Sequence, residues 1–227
     1  VVDNRNNPTD CFRWRYNGGE YDADICDDRT DVKVSPLVDL PDGDYTIETE
    51  ARFRGNTGWW GSYGILFDAK NDPDPDNPDL GDYNMLWVLW EGEDKYKWKL
   101  LRDLPGKQEN ITEWATLPSD AYDYGNDGKE FNTWRIERTS THISIYVNGK
   151  FLKRVSEDRP TGNYQVLFGV FASTYEMNST KAAWDSFRVT ADDGSVINWQ
   201  PSLNAQPAVV RGNMSELEQS LPNNDNR

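Results

Sequence analysis

The chain has 227 residues, of which 13% are aromatic, and its formal net charge is −15. This charge is unsuited to binding nucleic-acid phosphates or an anionic membrane surface, and no apolar run approaches the roughly 18 residues of a membrane span. The first residue is Val1, as in a processed secretory protein or a sequence lacking its first residues. We expect a secreted or cell-surface protein.

Alternating apolar and polar residues predict β-strands along most of the chain. Residues 45–54 place Tyr45, Ile47 and Phe53 on one face, and residues 95–102, 132–139 and 142–147 alternate in the same way. Further strands are expected at 62–68, 85–90, 164–172 and 182–190. Asn148-Gly149 lies between two alternating runs, which is typical of a two-residue hairpin turn. The sequence therefore predicts an all-β, two-sheet antiparallel jelly-roll sandwich.

The composition becomes rich in Asn, Gln, Ser and Pro from about Gln200. We therefore predict a jelly-roll domain over 1–199 and a polar C-terminal tail over 200–227, with a short helix at 213–221. Ala208–Val210 is β-prone and could add to an exposed sheet edge. We expect the tail to pack against a neighbouring copy of the chain, and packing on its own domain is the alternative.

Five short motifs occur in the order that a known superfamily shows. They are Asp44–Glu48, Gly64–Phe67, Asn132–Ile136, Ile145–Gly149 and Ala183–Val189. In this respect the chain resembles the concanavalin A-like lectin/glucanase superfamily, and in particular the laminin-G-like and 3-keto-disaccharide-hydrolase-like jelly rolls of bacterial surface proteins. The resemblance implies a jelly roll that serves as a lectin, a glucanase or a structural module.

The glucanases of this superfamily carry Glu-x-Asp-x-x-Glu on one strand, because retaining hydrolysis needs two neighbouring carboxyl groups. Here Glu20-Tyr21-Asp22 begins such a motif, but Ile25 stands where the second Glu should be. We therefore expect no hydrolase activity of this type.

A second pair of carboxylates, Glu48 and Glu50, shares one strand face with Arg52 and Arg54. We interpret this face as solvated and charge-balanced.

Two calcium sites are candidates. Asp72, Asp74, Asp76 and Asp79 form an oxygen-rich loop of the kind that Ca²⁺ binds, although a stiff solvated acidic loop is the alternative. The superfamily resemblance implies a second, structural Ca²⁺ at Asp185.

Trp59 and Trp60 lie in a Gly-flanked loop and are the candidate sugar-stacking platform, unless they cap the core. Cys11 and Cys26 are the only cysteines, and an extracellular protein would join them in a disulfide, with a reduced pair as the alternative.

Three sequons begin at Asn110, Asn178 and Asn213, and they predict glycosylation if the host modifies its surface proteins.

The favoured interpretation is a non-catalytic extracellular module that binds carbohydrate. A structural subunit of an extracellular filament is the alternative, and a divergent glycoside hydrolase is the weaker one.

Overall fold

The computed structural model describes residues 12–17, 20–25, 30–35, 40, 43–57, 61–70, 83–92, 95–104, 107–124, 130–158, 166–174, 179–199 and 208–213. Every regular element in these ranges is a β-strand. In the same ranges, no helix has the length and apolar content that crossing a membrane requires.

Sixteen strands are described within those ranges. They are β1 (Phe12–Asn17), β2 (Glu20–Ile25), β3 (Thr30–Ser35), β4 (Tyr45–Thr57), β5 (Gly61–Lys70), β6 (Tyr83–Trp90), β7 (Tyr96–Leu104), β8 (Lys107–Asn110), β9 (Ala115–Thr116), β10 (Asn132–Arg138), β11 (His142–Val147), β12 (Lys150–Ser156), β13 (Val166–Thr174), β14 (Ser179–Ala191), β15 (Val196–Trp199) and β16 (Ala208–Asn213).

The strands form two antiparallel sheets. Sheet A has the order β1-β2-β14-β4-β10-β11-β12, and β15 also pairs with β14. Sheet B has the order β16-β3-β13-β5-β6-β7-β8, and β9 also pairs with β7. Both sheets contribute side chains to one shared hydrophobic core. This is the two-sheet jelly-roll sandwich that the sequence predicts, so the fold-class prediction is confirmed.

The inner face of sheet A follows the predicted alternation. Tyr45, Ile47 and Phe53 of β4 are buried in the core, and so are Trp134 and Ile136 of β10. Each such side chain contributes roughly 1.5–3 kcal/mol when it is removed from water. The alternating pattern therefore fixes which face of sheet A meets sheet B, and it leaves the polar residues between them on the outer face.

The β11–β12 hairpin turns at Asn148-Gly149 as predicted. Both residues have positive φ, 48° and 78°, which a type I′ turn requires. The Asn148 amide accepts a hydrogen bond from the Thr133 N–H and donates to the Ala121 carbonyl and to Asn132 Oδ1. The turn is thereby tied to β10 and to the loop that precedes it.

A β-bulge in β5 directs a carboxylate into the sandwich. The pairing of β5 with β13 shifts register between Leu167 and Gly169, and Asp68 adopts φ of 51° there. The extra residue turns Asp68 toward the core beside Phe67. Its carboxylate accepts hydrogen bonds from Tyr45 Oη at 2.6 Å and from Arg138 Nε at 2.6 Å. A polar network therefore joins the two sheets at this end of the core.

The C-terminal strand β16 belongs to sheet B. Ala208–Asn213 pairs antiparallel with Thr30–Ser35 of the same chain. The β-prone stretch Ala208–Val210 thus adds to an edge of its own domain. The helix expected over 213–221 would begin at the last residue of this strand, and its other residues lie outside the described ranges. Packing of the tail on a neighbouring copy stays a prediction.

Candidate functional site

The outer face of sheet A carries one row of polar and aromatic side chains across six strands. Strand register places Glu48 of β4 between Arg188 of β14 and Arg135 of β10. Arg188 also pairs with Asn198 of β15. Arg135 pairs with Tyr146 of β11, and Tyr146 pairs with Phe151 of β12. We call this set the outer row: Asn198, Arg188, Glu48, Arg135, Tyr146 and Phe151.

A shallow open groove lies at the β15 end of the outer row. Its volume is about 360 Å³. The lining includes carboxylates, a guanidinium, an amide and hydroxyls, contributed by Glu48, Thr49, Glu50, Thr133, Ser186, Phe187, Arg188 and Asn198. Such a lining offers both hydrogen-bond donors and acceptors to a ligand.

A second β-bulge shapes this groove. The pairing of β14 with β4 shifts register between Asp185 and Phe187, so Ser186 is the extra residue, and its φ is 36°. Positive φ is unfavourable for a residue with a side chain, and such strain concentrates at functional positions. Asp185 Oδ1 accepts a 2.8 Å hydrogen bond from the Ser186 N–H and so stabilises the bulge.

The arginines of β4 pair away from the groove, which differs from the expected charge balance along β4. Arg52 binds Glu20 of β2 at 2.6 Å, and Arg54 binds Asp22. Neither arginine therefore neutralises Glu48 or Glu50 in the described part of the chain. The bulge of β14 lies beside Glu50. Beyond Glu50, β2 lies on the other side of β14 from β4, and it supplies the carboxylates that the two arginines bind.

The β12 end of the outer row is aromatic. The Arg135 guanidinium lies 3.9 Å from the centroid of the Tyr146 ring, and Tyr146 packs edge-on against Phe151 with centroids 5.4 Å apart. Glu137 contacts both Tyr146 and Arg135. It accepts a 2.8 Å hydrogen bond from Tyr146 Oη, and its carboxylate lies 3.4 Å from Arg135 Nη2. Phe151 is 51% exposed. The row thus ends in a supported aromatic ring that solvent reaches.

The outer face of sheet B is different, since several of its described side chains in β5, β6 and β7 are apolar and buried. They include Leu66, Met85, Trp87, Leu89 and Leu101, which lie outside the main core cluster. Leu86 and Val88 beside Trp87 face the main core, so strand alternation places Trp87 on the opposite face.

One lysine is buried on this face. Lys99 Nζ donates a 3.0 Å hydrogen bond to Asn110 Oδ1 and lies 5.0 and 4.8 Å from the ring centroids of Trp87 and Trp114. Burial lowers the pKa of Lys99 from 10.5 to about 8, and the charge of Glu113 opposes this shift. The two indole rings and the amide compensate part of the desolvation of the ammonium.

Most residues singled out from the sequence lie outside the described ranges. They are Cys11, Cys26, Trp59, Trp60, Asp72, Asp74, Asp76, Asp79 and Asn178. The disulfide, the tryptophan platform and the acidic calcium loop therefore stay predictions.

Three of the residues predicted to bind calcium or to be glycosylated are described. Asn110 is exposed at the end of β8, and Asn213 ends β16. Asp185 pairs in register with Glu50 beside the groove. In the described part of the chain, no group of three or more His, Cys, Asp and Glu side chains is placed to hold a metal ion. Calcium binding and glycosylation stay predictions.

Sequence reasoning noticed Glu48 and Glu50 but missed the other groove residues, because they meet only through strand pairing. Tyr146 and Phe151 could have been found. The two-residue turn at Asn148-Gly149 places Val147 opposite Lys150, which brings these two aromatic residues close together on neighbouring strands.

No protein-family model and no curated protein matches the chain. Solved structures do match. A Bacillus subtilis protein described as having unknown function and a galectin-like fold matches with a TM-score of 0.56 and 14% identity, over 83% of this chain and 88% of that one. A Saccharomyces cerevisiae protein of unknown function matches with a TM-score of 0.50 and 14% identity, over 78% and 91%.

A third structure is the carbohydrate-binding module CBM66 from Bacillus subtilis. It matches with a TM-score of 0.47 and 13% identity, over 78% of this chain and 91% of that one. At these identities the comparisons concern the fold and not the ligand. The two matches with TM-scores of 0.50 and 0.56 show that the chain shares the β-sandwich fold of those structures.

Proposed function

We propose that this protein is an extracellular, non-catalytic module that binds carbohydrate in the groove on the outer face of sheet A. One observation carries the proposal. The side chains of Glu48, Glu50, Ser186, Arg188 and Asn198 line an open groove, and within the described residues they have no hydrogen-bond or ion-pair partner. Polar groups placed together without partners are available to a ligand.

The chemistry of the groove suits a sugar. Sugar hydroxyls both donate and accept hydrogen bonds, and the groove offers carboxylate acceptors beside guanidinium and amide donors. Its two carboxylates outnumber its one guanidinium, and the whole chain carries −15. An anionic polysaccharide would be repelled, so the expected ligand is uncharged.

A glycoside hydrolase is the second candidate, because Glu48 and Glu50 are two carboxylates in one groove. Alternate residues of a strand lie about 6.8 Å apart along it, which is within the range of carboxyl separations in glycosidases. Both residues lie side by side on the groove floor, however, and Arg188 lies next to Glu48 in register. The arginine beside Glu48 favours sugar binding over acid catalysis. A test for substrate turnover distinguishes a binding module from a hydrolase.

Affinity gel electrophoresis tests the proposal. The full chain runs through gels that contain laminarin, lichenan or xylan, and through an alginate gel as the anionic comparison. We expect retardation in at least one neutral gel and none in alginate. The variants Glu48→Gln and Arg188→Gln should be retarded less than the native chain, because each loses a ligand contact. Retardation is measured for each protein relative to its own migration in a polysaccharide-free gel.

The matched control is Glu130→Gln, which removes the same charge from an exposed residue outside the groove. It should be retarded like the native chain. Equal migration of the native chain in all gels and in a polysaccharide-free gel contradicts the proposal.

A further inference from the structure

The outer row extends the groove toward an aromatic residue on the edge strand. From Glu48 the row passes Arg135 and Tyr146 and reaches Phe151, which is three strands away. Neighbouring strands lie about 4.8 Å apart, so the groove centre and the Phe151 ring are separated by about 14 Å. One strand spacing is close to the length of one sugar residue in an extended chain.

Phe151 is more than an isolated exposed apolar residue. Single exposed apolar side chains are common on protein surfaces and carry no meaning alone. Here the ring packs edge-on against Tyr146, whose hydroxyl is bound to Glu137 and whose face is covered by Arg135. The contacts fix the ring in place while leaving 51% of the residue exposed.

We propose that Phe151, supported by Tyr146, is a stacking subsite for the far end of the ligand, and that the ligand is an uncharged oligosaccharide of at least four residues lying across the strands. This inference rests on the proposed function, since the groove must hold one end of the chain. The apolar face of a sugar ring packs on the phenyl ring, and the ring hydroxyls remain in water.

The position of Arg135 agrees with this direction of binding. It lies in the row between Glu48 and Tyr146, and its side chain is 37% exposed. A ligand that runs from the groove to Phe151 therefore crosses a guanidinium that can donate hydrogen bonds to sugar hydroxyls. No described carboxylate other than Glu137, which is already bound to Tyr146 and Arg135, adjoins this stretch of the row.

Isothermal titration calorimetry of the full chain tests the inference. The probes are purified xylo-oligosaccharides and mixed-linkage gluco-oligosaccharides of two and of six residues. We expect the six-residue probe of one series to bind about tenfold more tightly than the two-residue probe. Phe151→Ala should lose this difference and leave the affinity for the short probe unchanged, whereas Phe151→Tyr should retain it.

Val196→Ala is the matched control, because Val196 is the other exposed large apolar residue in the described ranges and lies outside the row. It should bind both probes as the native chain does. If the short and long probes bind equally well and Glu48→Gln weakens both, the groove binds sugar but the stacking subsite is overturned. If no probe binds and no neutral polysaccharide gel retards the chain, both proposals fail.

Discussion

Arg138 Nε donates a 2.6 Å hydrogen bond to Asp68 Oδ2, and this ion pair joins β10 of sheet A to β5 of sheet B. Both side chains are at most 2% exposed. Tyr45 and Asn84 donate to the same carboxylate, and Arg138 Nη1 donates to the Glu157 carbonyl at 2.6 Å. The network pairs the buried Asp68 carboxylate with the Arg138 guanidinium and fixes how the two sheets meet.

Removing the Asp68 charge should destabilise the fold strongly. Asp68→Asn keeps a residue type that tolerates positive φ, but it leaves the buried guanidinium without its counter-ion. We expect a loss of about 3–5 kcal/mol in the free energy of unfolding, measured by urea denaturation. Asp120→Asn, which breaks the exposed pair with Lys150, is the control and should leave the midpoint unchanged. Equal midpoints for the two variants would contradict this account.

The turn residue Asn148 should be intolerant of a conservative change. Asn148→Asp replaces an amide donor by a carboxylate oxygen that faces the Ala121 carbonyl and Asn132 Oδ1. We expect about 1–3 kcal/mol of destabilisation in urea, because two acceptors lose their donor. Asn148→Gly keeps the positive φ at no steric cost and loses the hydrogen bonds without adding a charge, so it should cost less. A milder effect of Asp than of Gly would refute the argument.

Stability should depend on pH through Lys99. Its pKa in the folded protein is lowered to about 8, below the ordinary value of 10.5. Between these values the unfolded state binds the proton more tightly, so the free energy of unfolding should rise with pH, by at most about 1.4 kcal/mol per unit. Urea midpoints at pH 7.5, 8.5 and 9.5 measure the rise, and Lys99→Met should abolish it.

Burial raises the pKa of Tyr63 and of Tyr122. At higher pH these shifts lower the free energy of unfolding, whereas the shift of Lys99 raises it. Above pH 10 the unfolded tyrosines lose protons that the folded ones retain, so stability falls there. The comparison with Lys99→Met is therefore made below pH 10. A native chain whose midpoint is flat from pH 7.5 to 9.5 would contradict a lowered pKa of Lys99 in the folded protein.

We predict that the protein releases no reducing ends from laminarin, lichenan or xylan. The carboxylates of Glu20 and Asp22 are bound to Arg52 and Arg54, so they are engaged in ion pairs between β2 and β4. A reducing-sugar assay with a glucanase as positive control is the measurement. Turnover that disappears in Glu50→Gln would establish the hydrolase alternative.

Truncation separates the two parts of the C-terminal tail. A chain ending at Trp199 lacks β16 and leaves β3 as an unpaired edge of sheet B, so its urea midpoint should fall. A chain ending at Asn213 keeps β16 and should retain the native midpoint. Size-exclusion chromatography of both tests the packing of the tail on a neighbouring copy, since loss of assembly in the Asn213 chain would assign that role to residues 214–227.

The alternating residues of β4 and the Asn148-Gly149 turn were predictable, because each is dictated by neighbours in the sequence. The bulges at Asp68 and Ser186 were not, since a bulge exists only relative to the register of a partner strand far along the chain. The groove was missed for the same reason. Glu48, Arg188 and Asn198 belong to three strands whose order in the sheet the sequence pattern does not specify.

The pairing of β4 with β14 has a consequence for biosynthesis. Tyr45 pairs with Ala191 and Thr57 with Ser179, so the longest ladder of sheet A joins two segments that lie far apart in the sequence. During translation β4 therefore keeps one edge unpaired until β14 has left the ribosome. Until β14 is available, the open edge of β4 can pair with a wrong strand, so partial chains of this topology are prone to aggregate.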